Sequence, residues 1–369
     1  MPELKSKILM VNTEERYPFI VGMNLSDEMV EAVKKEGERR VAIISDSTTR
    51  TLCGDAVLGV LQKAGLQAEL IHFESGEHNK NRETVAALQD ALLEKQFGRD
   101  SIVIALGGGV VGDVAGFVAA TYMRGIPYIQ VPTTLLGMVD SSVGGKVGVD
   151  TEHGKNLIGA FHQPRAVIAD LSFLSSLSKE MMINGLMEAV KEFIAYDKDA
   201  LEFARQLDLE RPLEKPEILQ AIVYRSVEIK AHFVEIDEEE NNERKILNFG
   251  HTIGHALELL SDYHMPHGFA VGYGILVESK IAELLGVLSS EDRNYIQEYL
   301  GHLDISADAL KDFSANKILD ATKSDKKTRG GKAHYVLLNS VGSVYIKDGR
   351  YVHSVPDEIV GRAIAELTA

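Results

Sequence analysis

The chain has 369 residues, 45% hydrophobic and 25% charged, so it can bury a core large enough for two domains. Its 55 acidic side chains outnumber 39 basic ones, and the net charge of −16 repels phosphate backbones, which excludes nucleic acid as an expected partner. Cys53 is the single cysteine, so the chain cannot form an internal disulfide. No apolar run reaches the roughly 18 to 20 residues of a membrane span, and Met1 to Lys7 lacks the apolar core of a signal peptide. We therefore expect a cytoplasmic protein that does not bind a membrane.

The first half of the chain alternates between strand-like and helix-like segments. Asp46 to Ala64 and Glu83 to Glu94 have the apolar spacing of helices that cover a sheet. This alternation predicts a layered α/β domain with a mostly parallel sheet. The predicted strands are short and rich in β-branched residues: Val41 to Ser45, Glu69 to Phe73, Ser101 to Leu106, Tyr128 to Pro132 and Ala166 to Asp170.

The second half is predicted to be largely helical. Strand-like runs nearly vanish after Leu171, and only a short hairpin is expected near the end, from Tyr335 to Leu338 and from Ser343 to Ile346. We therefore expect an α/β domain at residues 1–175 and a mostly helical domain at residues 176–369. The predicted helices are Ser178 to Tyr196, Ile218 to Asp237, Lys245 to Leu260, Gly268 to Leu285 and Ser290 to Leu300.

A glycine-rich loop follows the third predicted strand. Gly107, Gly109 and Gly112 fit the pattern G-x-G-x-x-G directly before an apolar run that predicts a helix. Glycines there let the backbone approach a pyrophosphate, and the helix N-terminus offers N–H donors. The pattern alone leaves nucleotide binding open, because the usual fingerprint lies at the first strand. Asp46, at another strand end, is either a helix N-cap or a ribose contact.

Two histidines, His251 and His255, lie one helical turn apart and could bind one metal ion. The alternative is a pair of hydrogen-bonded core histidines. Thr252 stands where a zinc protease of the H-E-x-x-H type has its glutamate, which disfavours hydrolysis by that route. His267 and Glu188, on separate predicted helices, could add ligands. Together with the glycine loop, this pattern favours metal-assisted hydride transfer at a carbon that bears a hydroxyl.

Several cationic side chains beside glycine, asparagine or helix ends favour an anionic substrate. Lys146 in S-S-V-G-G-K and Lys155 in H-G-K-N combine a positive charge with exposed backbone donors. Any one lysine taken singly is more often solvated surface. The basic run from Lys323 to Arg329 is either a solvent-facing loop or a segment that closes over a phosphate. The other cations of this set are Arg124, Lys191, Lys230, Arg244, Lys326 and Lys327.

Seven sequence strings, in one order, are similar to those of the 3-dehydroquinate synthase family. They are G-G-G-V-V-G-D, A-A-T-Y-M-R-G, V-P-T-T-L-L, D-S-S-V-G-G-K, G-K-N-L-I-G-A-F, N-F-G-H-T-I-G-H-A and D-K-K. The chain resembles this family of sugar-phosphate cyclases from about Val41 to the final hairpin. The resemblance implies a Rossmann-like N-terminal domain, a helical C-terminal domain and an NAD- and metal-dependent carbon–oxygen lyase of the shikimate pathway.

The reaction implied by the resemblance converts 3-deoxy-D-arabino-heptulosonate 7-phosphate into 3-dehydroquinate and inorganic phosphate. Its steps are transient oxidation by NAD, elimination of phosphate, re-reduction and intramolecular aldol closure. The metal, zinc or cobalt, is expected on Glu188, His251 and His267, which makes His255 a substrate-side residue instead of a ligand. Arg124 is expected to reach the phosphate site of a neighbouring subunit, which implies a homodimer.

The resemblance also assigns contacts residue by residue. Lys155 is expected to stabilise the leaving phosphate and, like Lys146, to lie beside the cofactor. One of Lys326 and Lys327 is expected at the substrate, without a choice between them. The expected NAD contacts are Asp46, Glu77, Lys80, Gly108, Gly109, Asp113, Thr133 and Thr134. The expected substrate contacts are Asp140, Lys146, Asn156, Lys191, Lys230, Arg244, Asn248 and His255.

Two short departures from the family pattern leave its polar chemistry in place. Ser176, Leu177 and Ser178 stand for T-L-P, and Gly185 to Glu188 reads G-L-M-E instead of G-M-A-E. The alternatives are another sugar-phosphate cyclase or a metal-dependent NAD alcohol or glycerol dehydrogenase. A non-enzymatic nucleotide-sensing module is supported only by the charge run Glu235 to Glu243.

Overall fold

The computed structural model describes residues 4–13, 15–37, 39–324 and 333–369. The chain forms two compact units, one of Met1–Met182 with Leu207–Ala231 and the other of Ile183–Gln206 with His232–Ala369. We expected one boundary near residue 175, whereas residues 207–231 belong to the first unit although they follow that boundary. Hydrophobic periodicity predicts the helix that begins at Ile218 but does not indicate which unit this helix packs on.

A seven-stranded sheet forms the centre of the first unit. Its strands and those of a separate hairpin are β1 (Lys7–Val11), β2 (Tyr17–Gly22), β3 (Arg40–Asp46), β4 (Ala68–Phe73), β5 (Ser101–Gly107), β6 (Tyr128–Pro132), β7 (Lys146–Thr151), β8 (Gly154–Phe161) and β9 (Ala166–Asp170). The sheet order is β1-β2-β9-β6-β5-β3-β4, and β7 pairs with β8. Only the β1–β2 pair of the described sheet is antiparallel, so the prediction of a mostly parallel sheet is confirmed.

Helices cover both faces of this sheet. They are α1 (Ser26–Lys35), α2 (Ser47–Thr49), α3 (Asp55–Lys63), α4 (Arg82–Glu94) and α5 (Gly109–Thr121). Successive residues of β3 enter opposite cores: Ile43 packs in the core of α1 and α3, whereas Ile44 packs in the core of α4 and α5. Strands buried on both faces are continuous apolar runs, which explains why the sequence revealed them.

The second unit is mostly helical, as predicted. The helices that lie wholly or partly in it are α6 (Lys179–Tyr196), α7 (Lys198–Ala204), α8 (Pro216–Ile236), α9 (His251–Leu260), α10 (His267–Leu284), α11 (Ser290–Gly301), α12 (Ala315–Ser324) and α13 (Asp357–Thr368). Glycines bring α9 and α10 together, since a Cβ on Gly274 would lie 1.9 Å from the Gly250 carbonyl oxygen. In the described part of the chain, no helix combines the length and apolarity needed to span a membrane.

Two predicted elements of the second unit differ from the structure. The predicted helix Lys245 to Leu260 is interrupted, because Gly250 adopts a left-handed φ of 78° between a short 3₁₀ segment and α9. The predicted hairpin retains only its inner part: β11 (Leu338–Ser340) pairs with β12 (Ser343–Val344). The preceding β10 (His334–Tyr335) pairs with β13 (His353–Ser354) instead.

Candidate active site

Two histidines and one glutamate converge in the second unit. Glu188, in α6, is fully buried, and its Oε1 lies 3.3 Å from His267 Nε2 and 3.7 Å from His251 Nε2. The possible ligand atoms of the three residues lie within 4.8 Å of one another. His251 and His267 are the first residues of α9 and α10, whereas Glu188 lies in the middle of α6. Such a set has the residue types of a metal site that leaves positions open for substrate.

Lys191 sets the charge state of this cluster. Its Nζ donates to Glu188 Oε2 at 2.5 Å, and both side chains are buried. Burial alone would raise the pKa of Glu188, but Lys191 and then the neighbouring histidines hold that pKa well below its usual range. Burial, and after it the Lys191 charge, lowers the pKa of His251, which keeps this imidazole neutral. A carboxylate and a neutral imidazole are the forms that bind a cation.

A second acidic side chain lies on the other side of His267. Glu258 Oε1 is 3.5 Å from His267 Nδ1, and His255, Glu258 and His267 form a second group whose ligand atoms lie within 4.8 Å. Burial tends to lower the pKa of His267, but the two flanking carboxylates raise it to about 10. This negative environment favours a positive charge at the ring.

The loop before α9 positions two further residues that the resemblance assigns to the substrate. The Asp237 carboxylate accepts from the backbone N–H groups of Asn241 and Asn242 and, at 3.0 Å, from that of Arg244. Arg244 is buried, and its Nη1 donates to the Glu238 carbonyl at 2.6 Å. In the same loop, Asn248 Nδ2 donates to the Glu240 carboxylate.

In the first unit, the glycine loop connects a fully buried strand to a helix. Gly108 is the N-cap of α5, and as a glycine it has no side chain to occupy the helix N-terminus. A Cβ on Gly108 would lie 3.1 Å from Thr134 Cγ2, and one on Gly109 would lie 3.2 Å from Ser141 Oγ. Thr133 follows β6 and donates its N–H to the Gly107 carbonyl at 2.9 Å. The loop therefore has the open backbone that a pyrophosphate requires.

Lys80 organises a buried polar network beside this loop. Its Nζ lies 2.6 Å from Asp113 Oδ2 and donates to Asn156 Oδ1 at 2.6 Å. Burial tends to lower the pKa of Lys80, but Asp113 and then Glu77 raise it, so the ammonium form is retained. Asn156 has a left-handed φ of 53°, and its N–H donates to Asp150 Oδ1 at 2.7 Å. Three of the predicted site residues are thus in one network.

Other predicted residues of the first unit lie around strand ends and turns. Asp46 accepts from the Thr49 N–H at 2.6 Å, so it does act as a helix N-cap; its ribose contact stays a prediction. Lys155 Nζ lies 3.6 Å from Glu77 Oε1. Lys230, which is buried in α8, donates to both the side chain and the backbone carbonyl of Asp140.

Two predicted phosphate-binding cations lie in exposed positions. Lys146 is exposed at the start of β7. Arg124 ends a turn after α5 in which Met123, Arg124 and Gly125 all have left-handed φ values of 52°, 69° and 108°. Non-glycine residues in this region store strain that often accompanies a functional constraint. Lys326 and Lys327 lie outside the described residues.

Sequence reasoning missed the buried polar residues that support the cluster. Glu258 is seven residues after His251 and therefore on the same side of α9, a signal that was available. Asn184 lies four residues before Glu188 on α6 and offers the same signal. Glu278, in contrast, lies in an apolar stretch of α10 and has no pattern that would single it out.

Comparison with known proteins accounts for both units. The family model of the 3-dehydroquinate synthase N-terminal region matches residues 70–184, and that of the C-terminal region matches residues 185–328. The chain belongs to the 3-dehydroquinate synthase family. A 3-dehydroquinate synthase of Syntrophotalea carbinolica is 39% identical over 350 residues, covering 94% of this chain and 96% of the relative. One from Vibrio atlanticus is 38% identical over 358 residues, covering 96% and 97%.

This chain shares its architecture with solved structures of other cyclases. A 2-deoxy-scyllo-inosose synthase complexed with carbaglucose-6-phosphate, NAD⁺ and Co²⁺ has a TM-score of 0.88 and 26% identity, covering 98% of this chain and all of the other. A 2-epi-5-epi-valiolone synthase of Streptomyces hygroscopicus with NAD⁺ and Zn²⁺ has a TM-score of 0.85 and 25% identity, covering 97% and 98%. The NADH-dependent butanol dehydrogenase A of Thermotoga maritima, at 16% identity and a TM-score of 0.65, covers 95% and 96% and shares the fold alone.

Proposed function

We propose that this chain converts 3-deoxy-D-arabino-heptulosonate 7-phosphate into 3-dehydroquinate and inorganic phosphate, using NAD and one divalent zinc or cobalt ion. Its membership of the 3-dehydroquinate synthase family supports the reaction. The observation that carries the proposal is the convergence of buried Glu188 with His251 and His267 in a chain that also has a glycine-rich dinucleotide loop.

The residues of the second unit fit a divalent cation. Lys191 occupies Glu188 Oε2, whereas Oε1 is buried without a hydrogen bond of good geometry among the described residues. That oxygen faces the Nε2 atoms of His251 and His267, so two nitrogens and one oxygen point toward a common position. Two imidazoles and a carboxylate suit zinc or cobalt better than magnesium or calcium, which prefer oxygen ligands.

The residues of the first unit fit a dinucleotide. Gly108 and Gly109 leave room at the N-terminus of α5 that a Cβ would narrow, and the first N–H groups of that helix favour a pyrophosphate. Thr133 and Thr134 follow the neighbouring strand β6, and Asp46 is the last residue of β3. Ligands of parallel sheets collect at these carboxyl ends of strands, which supports the expected NAD contacts.

When bound, the divalent cation polarises a substrate hydroxyl and NAD exchanges a hydride with the carbon that bears it. The role of the protein side chains is to hold charges in fixed places. Lys80 joins Asp113 to Asn156, which fixes the β8 segment relative to the dinucleotide loop. Preorganised charges of this kind require no rearrangement as the reaction proceeds.

Cationic residues in both units support an acidic sugar phosphate as substrate. Arg244 has a planar guanidinium that matches a carboxylate in two-point geometry, and its backbone and Nη1 are already held by Asp237 and Glu238. Lys146 lies at the open end of the β7–β8 hairpin and Lys155 beside its turn, and either charge suits a phosphate. The homodimer and the cytoplasmic location belong to the proposal as well; the strained turn at Arg124 supports a residue presented to a partner subunit.

The test is a coupled assay of phosphate release with the heptulosonate phosphate, NAD below the enzyme concentration and added Zn²⁺ or Co²⁺. The reaction has no net oxidation, so we expect many phosphates per NAD and no accumulating absorbance of reduced nicotinamide. A dehydrogenase would instead accumulate reduced nicotinamide without releasing phosphate, and a relative with another substrate would release phosphate only from a hexose phosphate or a neutral heptulose phosphate. Either result would refute the proposal.

Lys146→Ala tests the assignment of the phosphate site. We expect turnover to fall by at least about 100-fold, the cost of removing a preorganised charge, while NAD affinity changes little. Lys63→Ala, which removes an exposed lysine at the end of α3, is the control and should leave turnover unchanged. Equal losses of turnover and NAD affinity in Lys146→Ala would contradict its assignment to the phosphate.

A further inference from the structure

His267 is held from two sides by residues outside the set Glu188, His251 and His267. On the first side, Asn184 Oδ1 accepts from the Gly268 N–H at 2.7 Å. Asn184 is buried in α6, one helical turn before Glu188, and Gly268 follows His267 at the start of α10. One side-chain amide therefore connects the helix of the carboxylate with the helix of the imidazole.

The backbones of α6 and α10 are closely packed at this contact. A Cβ on Gly268 would lie 2.0 Å from the Asn184 carbonyl oxygen, so only glycine permits this approach. The N-cap of α10 is Pro266, whose side chain cannot accept a hydrogen bond. Asn184 thus satisfies, from another helix, an amide that the local sequence leaves without a cap.

On the second side, Glu258 acts on the imidazole itself. Its carboxylate is buried and lies 3.5 Å from His267 Nδ1, while Glu188 lies 3.3 Å from Nε2 on the opposite edge of the ring. A carboxylate beside Nδ1 favours the tautomer with the proton on that nitrogen. Once a cation replaces the proton on Nε2, the lone pair of that nitrogen faces Glu188 and His251, as carboxylate–histidine–metal arrangements require.

We propose that Asn184 and Glu258 are positioning residues that hold His267 as a metal ligand, Asn184 by fixing the start of α10 and Glu258 by fixing the orientation of the ring. The inference rests on the metal site of the proposed function. Neither residue touches substrate or the reacting atoms in this assignment. Their effect is on the affinity and coordination geometry of the cation.

The experiment measures Zn²⁺ and Co²⁺ affinity of the full-length, NAD-saturated protein by competition with a chromophoric chelator, together with the visible spectrum of the Co²⁺ form. Asn184→Leu and Glu258→Leu remove the acceptors at similar size, and we expect each to weaken metal affinity about 10- to 100-fold. Asn184→Asp retains an acceptor and should restore affinity to within about threefold of wild type. Glu258→Gln should alter the Co²⁺ spectrum.

The matched control is Asp197→Ala, which removes a side-chain cap from the Ala200 N–H of α7 in the same unit. It should leave metal affinity and spectrum unchanged. Wild-type metal affinity in both leucine variants would overturn the inference, as would an equal loss of metal affinity in Asp197→Ala. Binding of two cations per chain would also overturn it, because Glu258 would then be a ligand. Should Asn184→Leu fail to fold, the two Glu258 variants decide. A wild-type chain that binds no cation would refute the proposed function itself.

Discussion

Glu278 is a carboxyl group in the interior of the second unit, and its replacement gives a pH-dependent prediction. It has no exposed surface, and its Oε2 accepts from the Gly250 N–H at 2.9 Å. Gly250 is the N-cap of α9 and cannot cap the helix with a side chain, so Glu278 also accepts from the backbone N–H groups of Thr252 and Ile253. Burial raises the pKa of Glu278 to about 8, even though the backbone amides of Gly250, Ile253 and Thr252 act in the opposite direction.

The magnitude follows from proton linkage. The pKa of Glu278 is raised from 4.5 to about 8 on folding, so the folded chain retains a proton that the unfolded chain loses. This contribution to stability is fully present below pH 4.5 and is lost as the pH rises through about 8. The loss is about 1.4 kcal/mol for each pH unit between these values, on the order of 5 kcal/mol in total.

Glu278→Gln isolates this contribution, because glutamine keeps an acceptor for the Gly250 N–H and does not ionise. Urea unfolding from pH 5 to pH 9 at constant ionic strength should show the variant gaining stability over wild type as the pH rises, with a plateau above about pH 8. Glu94→Gln, at the exposed end of α4, controls for the loss of one acidic side chain. A difference in unfolding free energy between Glu278→Gln and wild type that stays constant from pH 5 to pH 9 would refute the argument.

Four further substitutions test the packing of the second unit, the expected NAD site and the expected metal site. Gly268→Ala should destabilise the protein by about 3 kcal/mol in urea, because its Cβ would lie 2.0 Å from the backbone oxygen of Asn184, which cannot rotate away. Lys80→Met leaves the buried network without its cation, and calorimetry should detect a loss of about 3 to 5 kcal/mol as well as weaker NAD binding. After dialysis, His251→Ala should retain no zinc by elemental analysis, whereas His255→Ala should retain it and lose turnover; the reverse pattern would exchange their roles.

The sequence predicted the centre of the first unit well because burial on both faces is visible in local composition. β6 and β9 have the predicted limits, and β5 is one residue longer than predicted. The hairpins β1–β2 and β7–β8 were missed. In β8, exposed and half-buried residues mix, so it lacks the continuous apolar run of the central strands. Gly159 lies close to the backbone of β7, a long-range constraint that no local pattern reveals.

Residues of the candidate site were predictable where they lie at the ends of strands or the starts of helices. Gly108 follows β5 and Asp46 ends β3, and parallel strands place their carboxyl ends at one edge of a sheet. The expected continuous helix through Gly250 was wrong because a glycine inside an apolar periodicity does not reveal a positive φ. Glu278 was not recognised because it is a polar residue whose partner is an amide outside its own helix, and the spacing of Asn184 from Glu188 was the only signal for Asn184.

Substrate choice in this fold must depend on side chains, because the backbone does not distinguish between cyclases. A synthase that forms a different carbocycle superposes with a TM-score of 0.88, although it is only 26% identical. Arg244, in the second unit, is one of the residues expected to contact substrate. Arg244 belongs to a loop that Asp237 fixes through three backbone amides, so its position depends on the whole segment. A preference for an acidic over a neutral sugar phosphate is therefore expected to depend on this guanidinium and on the loop that holds it.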